Sequence, residues 1–179
     1  MKTKFKSAQV LLVILGLIIF ATAKVNGQEK SKKQLRRDQQ LEKQRQIVLL
    51  VESKAFIFSA IRVIPQIGST LILTAEFDVE FYPDLIKSFL PFIGRGFSGI
   101  GYNGDEGMKF EGKPTMYQVE KTKKGYTIKA EVRGKTDYYV MMLNVYHNGS
   151  AFLTINSNNR SPVSYDGTVD ALQRNNCVK

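Results

Sequence analysis

Residues 138–146, Tyr-Tyr-Val-Met-Met-Leu-Asn-Val-Tyr, run through His147-Asn148-Gly149-Ser150 into residues 151–157, Ala-Phe-Leu-Thr-Ile-Asn-Ser. Asn-Gly between two runs of β-branched and aromatic residues marks a hairpin, because both turn residues tolerate the positive φ of a type I′ turn. In the first run Tyr139, Met141, Leu143 and Val145 alternate with Tyr138, Val140, Met142, Asn144 and Tyr146, and both sets are largely apolar. A strand of that kind predicts cover on both faces. Val140, Leu143 and Val145 are accordingly placed in the core. The second cover would be an amphipathic helix, a ligand cavity or a second subunit.

Outward from this hairpin the strand pattern continues. Residues 115–121 and 126–133 precede it, separated by Lys124-Gly125, and Gly134-Lys135 makes the next turn. A turn at 158–162 leads to a short strand at 163–165. Further upstream, 55–64 and 71–81 read as strands, the second with Phe77, Val79 and Phe81 on one face and Glu76, Asp78 and Glu80 on the other. Residues 84–90 read as a helical turn before Pro91, 94–107 as a Gly-rich loop, and 109–111 as a short strand. Residues 31–64 contain no Pro or Gly and are rich in helix formers. They predict a helix over 32–53 with an exposed first half and a docked second half. The fold class expected is α+β, with an N-terminal helix packed on a curled antiparallel meander of about seven strands, a partial barrel.

The N-terminus bears on location. Lys2, Lys4 and Lys6 precede an uncharged run at 10–23 that ends Ala21-Thr22-Ala23. A basic segment, an apolar core and small residues at A-x-A spacing form a secretory signal peptide. The apolar run is shorter than the ~20 residues of a membrane span. The organisation expected is a signal peptide at 1–27, a basic helical arm at 28–46 and a single β-rich domain at 47–179, with no transmembrane span once the signal is cleaved. The single cysteine, Cys177, allows no internal disulfide, which fits a bacterial periplasm better than disulfide-rich extracellular space. The net charge of +10 is uneven: residues 29–45 hold seven Lys/Arg against three Asp/Glu, and residues 46–179 hold 15 against 13. A nucleic-acid partner is not expected outside the cytoplasm, and the arm reads as a solvated helix face.

Three stretches carry a resemblance: Leu90-Pro91-Phe92-Ile93-Gly94-Arg95-Gly96-Phe97, Asn148-Gly149-Ser150-Ala151, and Asn159-Arg160-Ser161-Pro162-Val163-Ser164-Tyr165-Asp166-Gly167. Together they resemble the bacterial secreted family known as domain of unknown function 4251, over residues 48–170. The resemblance implies a compartment and a fold; no catalytic residue carries over with it.

Several constellations bear on function. Gly94-Arg95-Gly96-Phe97-Ser98-Gly99 matches G-x-G-x-x-G, but Pro91 precedes it and glycines follow, so the helix that a dinucleotide site needs has no room to start. The same loop suits recognition better: Phe92, Arg95, Phe97 and Tyr102 interleave with glycines, and aromatic residues and Arg are favoured binding anchors. The competing structural reading has those aromatics folded inward to plug the sheet end. Glu76, Asp78 and Glu80 lack the loop spacing of a calcium site and read as a solvated strand face paired to Lys or Arg. His147, the single histidine, is read as exposed; it has no G-x-S-x-G elbow to serve. No metal and no cofactor are expected. The function expected is non-catalytic binding in the periplasm or envelope, to an unidentified envelope component (protein, glycan or lipid), with a homodimer as a further option. A small envelope hydrolase and a lipocalin-like carrier of an apolar ligand are the alternatives.

Overall fold

The computed structural model describes residues 31–97, 107–135 and 137–172. Helix α1 spans Lys32–Ser53. Its first helical bond runs from the Leu35 amide to the Ser31 carbonyl, and the Gln34 side chain caps the start by accepting the Ser31 amide at 3.1 Å. It stops where Lys54 turns left-handed at φ 55°. Ile47 and Val51 are its buried residues, while Leu35, Leu41 and Leu49 stay exposed. The docked half is therefore the second half.

Ten strands follow among the described residues: β1 (Phe56–Pro65), β2 (Leu71–Ile72), β3 (Asp78–Tyr82), β4 (Leu85–Pro91), β5 (Gly107–Gly112), β6 (Pro114–Thr122), β7 (Gly125–Arg133), β8 (Tyr138–Tyr146), β9 (Ser150–Ser157) and β10 (Val163–Ala171). They form one antiparallel sheet in the order β5-β4-β3-β1-β10-β9-β8-β7-β6, with β2 paired to β1. The two ends of this path, β5 and β6, are joined in sequence by Lys113 alone. The sheet therefore curls into a nearly closed barrel, and Gly112 approaches the Arg133 carbonyl of β7 so closely that a Cβ there would lie 2.9 Å away.

Alternation decides what fills the interior. Phe56 and Phe58 of β1, Phe81 of β3, Ile86 and Leu90 of β4, Ile128 of β7, Met141 and Leu143 of β8, Leu153 and Ile155 of β9 and Tyr165 of β10 are essentially without exposure. Phe56 stacks on Phe81 at 4.5 Å between ring centres, and Phe110 on Tyr139 at 4.0 Å. A register shift between Ala60 and Arg62 lets β1 face β3 in its first half and β2 in its second.

The architecture agrees with α+β, and several details correct the sequence reading. The strand expected at 163–165 runs on to Ala171 as β10, and at the Asn148-Gly149 turn only Gly149 takes a positive φ, 87°, so the turn is not type I′. The strand count is ten rather than about seven. Residues 84–90 do not form a helical turn: Pro83-Asp84 closes a tight turn between β3 and β4. The predicted strand at 71–81 is split into β2 and β3. Finally, β8 is covered on one face only. Leu143 and Val145 are in the core, but Val140 and Met142 are 36% and 40% exposed. The helix does not lie over them. It packs at the end of the barrel that holds the Asn148–Gly149 turn and the last residues of β10, where Ile47 comes up against Gly149.

Candidate functional site

At the opposite end of the barrel, two of the quoted stretches meet. Strand β4 ends at Pro91, whose carbonyl accepts the Tyr165 hydroxyl at 2.6 Å. Tyr165 is wholly buried, and burial holds its phenol well above the usual tyrosine range. Beyond Pro91 the chain is tied to the turn between β9 and β10. The Arg95 amide donates to Ser161 Oγ at 3.0 Å, the Ser161 amide donates to the Arg95 carbonyl at 2.9 Å, and the Phe97 amide donates to the Asn159 carbonyl at 2.7 Å. Gly96 bridges Arg160 between them. Gly94 is required by close approach, since a Cβ there would run into Ser161 Oγ and lie 2.8 Å from the Phe92 ring.

Side chains divide between inward and outward roles. Phe92 is half-buried beneath the Arg160 guanidinium, 5.3 Å from its ring centre, and Arg160 Nη1 donates to the Gly107 carbonyl. Arg95 and Phe97 point outward, Phe97 at 67% exposure. Tyr102 lies outside the described residues. Of the predicted loop residues, the structure thus brings Phe92, Arg95 and Phe97 together on one rim: Phe92 in the packing role, Arg95 and Phe97 in the exposed one.

Beside this rim, Arg133, Lys135, Tyr138, Asn158 and Asn159 surround an open hollow of about 430 Å³. Its shape depends on Asp137. That carboxylate accepts the Tyr138 and Asn158 amides at 2.8 and 3.1 Å and the Ser157 hydroxyl at 2.7 Å, locking the β7–β8 turn to the end of β9. Asn159 belongs to both features, lining the hollow and holding Phe97. Apart from turn chemistry and the family resemblance of the stretch that begins at Asn159, nothing at 158–160 marks these residues in the sequence. The usable signal is topological: in an antiparallel meander the β7–β8 and β9–β10 turns emerge at the same end.

The other candidates lie elsewhere. Glu80 stands directly across from Lys87 in the β3–β4 ladder and accepts the Tyr82 hydroxyl at 3.0 Å. Burial, then Glu80 and Glu76, raise the Asp78 carboxyl above its usual value. Among the described residues no group of three or more His, Cys, Asp or Glu is placed to hold a metal ion. His147 is half-buried rather than exposed, at the helix end of the barrel: its ring meets Tyr126 edge-on at 6.4 Å, and its Nδ1 is shielded without a hydrogen-bond partner. No described helix is long and apolar enough to cross a membrane.

A family model described as domain of unknown function (DUF4251) matches residues 38–169. The chain belongs to the DUF4251 family. The match takes in the docked part of α1, the barrel up to Val169 of β10 and both stretches that build the rim. A crystal structure of a DUF4251 family protein from Bacteroides eggerthii DSM 20697 is similar at a TM-score of 0.56, with 18% identity over 73% of this chain and 88% of that one. That likeness concerns the fold. No curated protein matches the chain.

Proposed function

We propose that this DUF4251 protein is an exported, non-catalytic binding domain of the bacterial periplasm or envelope. Residues 1–27 are a signal peptide removed on export, 28–46 a basic helical arm, and 47–179 the binding domain. Its partner is an envelope component, met by Arg95 and Phe97. One observation carries this reading: the backbone of Arg95 to Phe97 is hydrogen-bonded to Asn159 and Ser161, while the two side chains face solvent. A loop held in that way presents its anchors with little ordering left to do on binding. The carrier alternative has less support, because Phe56, Phe58, Phe81, Met141 and Tyr165 occupy the interior. A hydrolase built on a Ser-His-Asp triad would have to use His147, at the other end of the barrel from the rim.

The test is crosslinked capture from envelope extract, with thermal melts alongside. Arg95→Ala combined with Phe97→Ala is expected to abolish capture and leave the melting temperature unchanged. Capture that survives both substitutions overturns the assignment of the rim, and an uncleaved chain confined to the cytoplasm overturns the location.

A further inference from the structure

The three most exposed large apolar side chains among the described residues are Ile72, Ile67 and Phe97, at 75%, 71% and 67%. The fold gathers them toward one end. Pro65 pairs with Val163, so the connection carrying Ile67 leaves the sheet beside Ser161 and Pro162. Ile72 sits on the edge pair opposite Arg62, three residues before that connection. Phe97 is held by the Asn159 carbonyl. Cations share this end: Arg95 on the rim, and Arg133 and Lys135 around the hollow. The nearby Asp137 carboxylate is already engaged by Ser157 and two backbone amides.

Apolar side chains so exposed, gathered toward one end that also carries cations, mark a contact surface. Their spread over three separate segments, the β1–β2 connection, edge strand β2 and the rim loop, selects the partner. A rigid protein would need a separate pocket for each of three tips, whereas the interface of a bilayer yields to all of them, and its anionic headgroups complement the cations. Resting on the binding reading above, and naming its partner class, we propose that this end of the barrel docks on an anionic membrane surface. Ile67, Ile72 and Phe97 enter the boundary between headgroups and acyl chains, and Arg95, Arg133 and Lys135 meet lipid phosphates.

The chain contains no tryptophan, so a single introduced indole reports its own surroundings. Phe97→Trp and Ile72→Trp place it at the docking end, and Leu49→Trp, at a position 65% exposed on α1, places it at the other. With equimolar phosphatidylglycerol and phosphatidylcholine vesicles, emission from positions 97 and 72 is expected to shift to the blue, and emission from position 49 to stay. Vesicles of phosphatidylcholine alone should give no shift. Arg95→Ala, Arg133→Ala and Lys135→Ala, added to Phe97→Trp, should each weaken partition about fivefold, and raised salt should weaken it further. No shift with the anionic vesicles, an equal shift at position 49, or indifference to salt and charge overturns the proposal. If position 97 is silent to vesicles while crosslinked capture still depends on Arg95 and Phe97, membrane docking falls and the binding reading stands. If neither readout depends on them, both fall.

Discussion

The Tyr165 hydroxyl donates to the Pro91 carbonyl across 2.6 Å, joining β10 to the last residue of β4. These two strands are not neighbours in the sheet. The bond fixes the point from which the rim loop departs. Tyr165→Phe keeps the ring in the core and leaves a carbonyl without its donor, at a cost of ~1–3 kcal/mol. A melting temperature lower by several degrees, read by circular dichroism, is the expected result; no change would mean that water replaces the hydroxyl.

Gly94→Ala tests the closeness of the two stretches. Its added methyl meets Ser161 Oγ and the Phe92 ring, so the loop must lift from the turn. Faster proteolysis after Arg95 is expected, with little change in global melting. Protease resistance equal to wild type would show that the approach is looser than described.

The two faces of β8 should respond differently to substitution. Leu143 is 1% exposed and faces the interior, and Leu143→Ala should cost ~2–5 kcal/mol in denaturant melts. Val140, at 36%, faces out, and Val140→Thr should stay within about 0.5 kcal/mol. Equal losses would restore cover to the outer face.

Tyr117 offers a pH test. Its hydroxyl is buried without a partner, and burial raises its pKa from 10.0 to about 12. The folded state therefore keeps a proton that the unfolded chain gives up above pH 10.0. Stability from this group is fully present below that value and is lost as pH rises toward about 12. Tyr117→Phe removes an unpaired polar atom, so it should be neutral or stabilising at pH ~7 and should flatten the alkaline loss. A melting profile as steep as wild type over that interval would place the hydroxyl in solvent.

Much of this fold could be read from local pattern, and the failures have identifiable causes. The helix at 32–53 and the strand at 138–146 come out with the bounds observed, because helix-former composition and strand patterning act over short range; the turn after the strand is not the type I′ that Asn-Gly predicts, since only Gly149 takes a positive φ, 87°. Strand β4 is not legible as a strand because Pro83-Asp84 resembles the start of a helix as well as a turn. Its inward Ile86 and Leu90 are also matched by apolar Leu85 and Phe89 outside, which hides the period of two. Val140 reads as a core residue because hydrophobicity does not record which face is covered. The rim was half-legible: Phe92, Arg95 and Phe97 stand out as residue types, but their partner Ser161 lies 66 residues further on from Arg95, beyond anything spacing conveys.

The barrel wall has a seam where its ends meet at Lys113. Strands β5 and β6 each pair on one side only, whereas β9 is bonded on both. A wall held at its seam by one covalent link rather than by a ladder breathes there first. Amide protons of β5 and β6 that face the gap are left to exchange with solvent within seconds to minutes, while those of β9 wait for the whole domain to open.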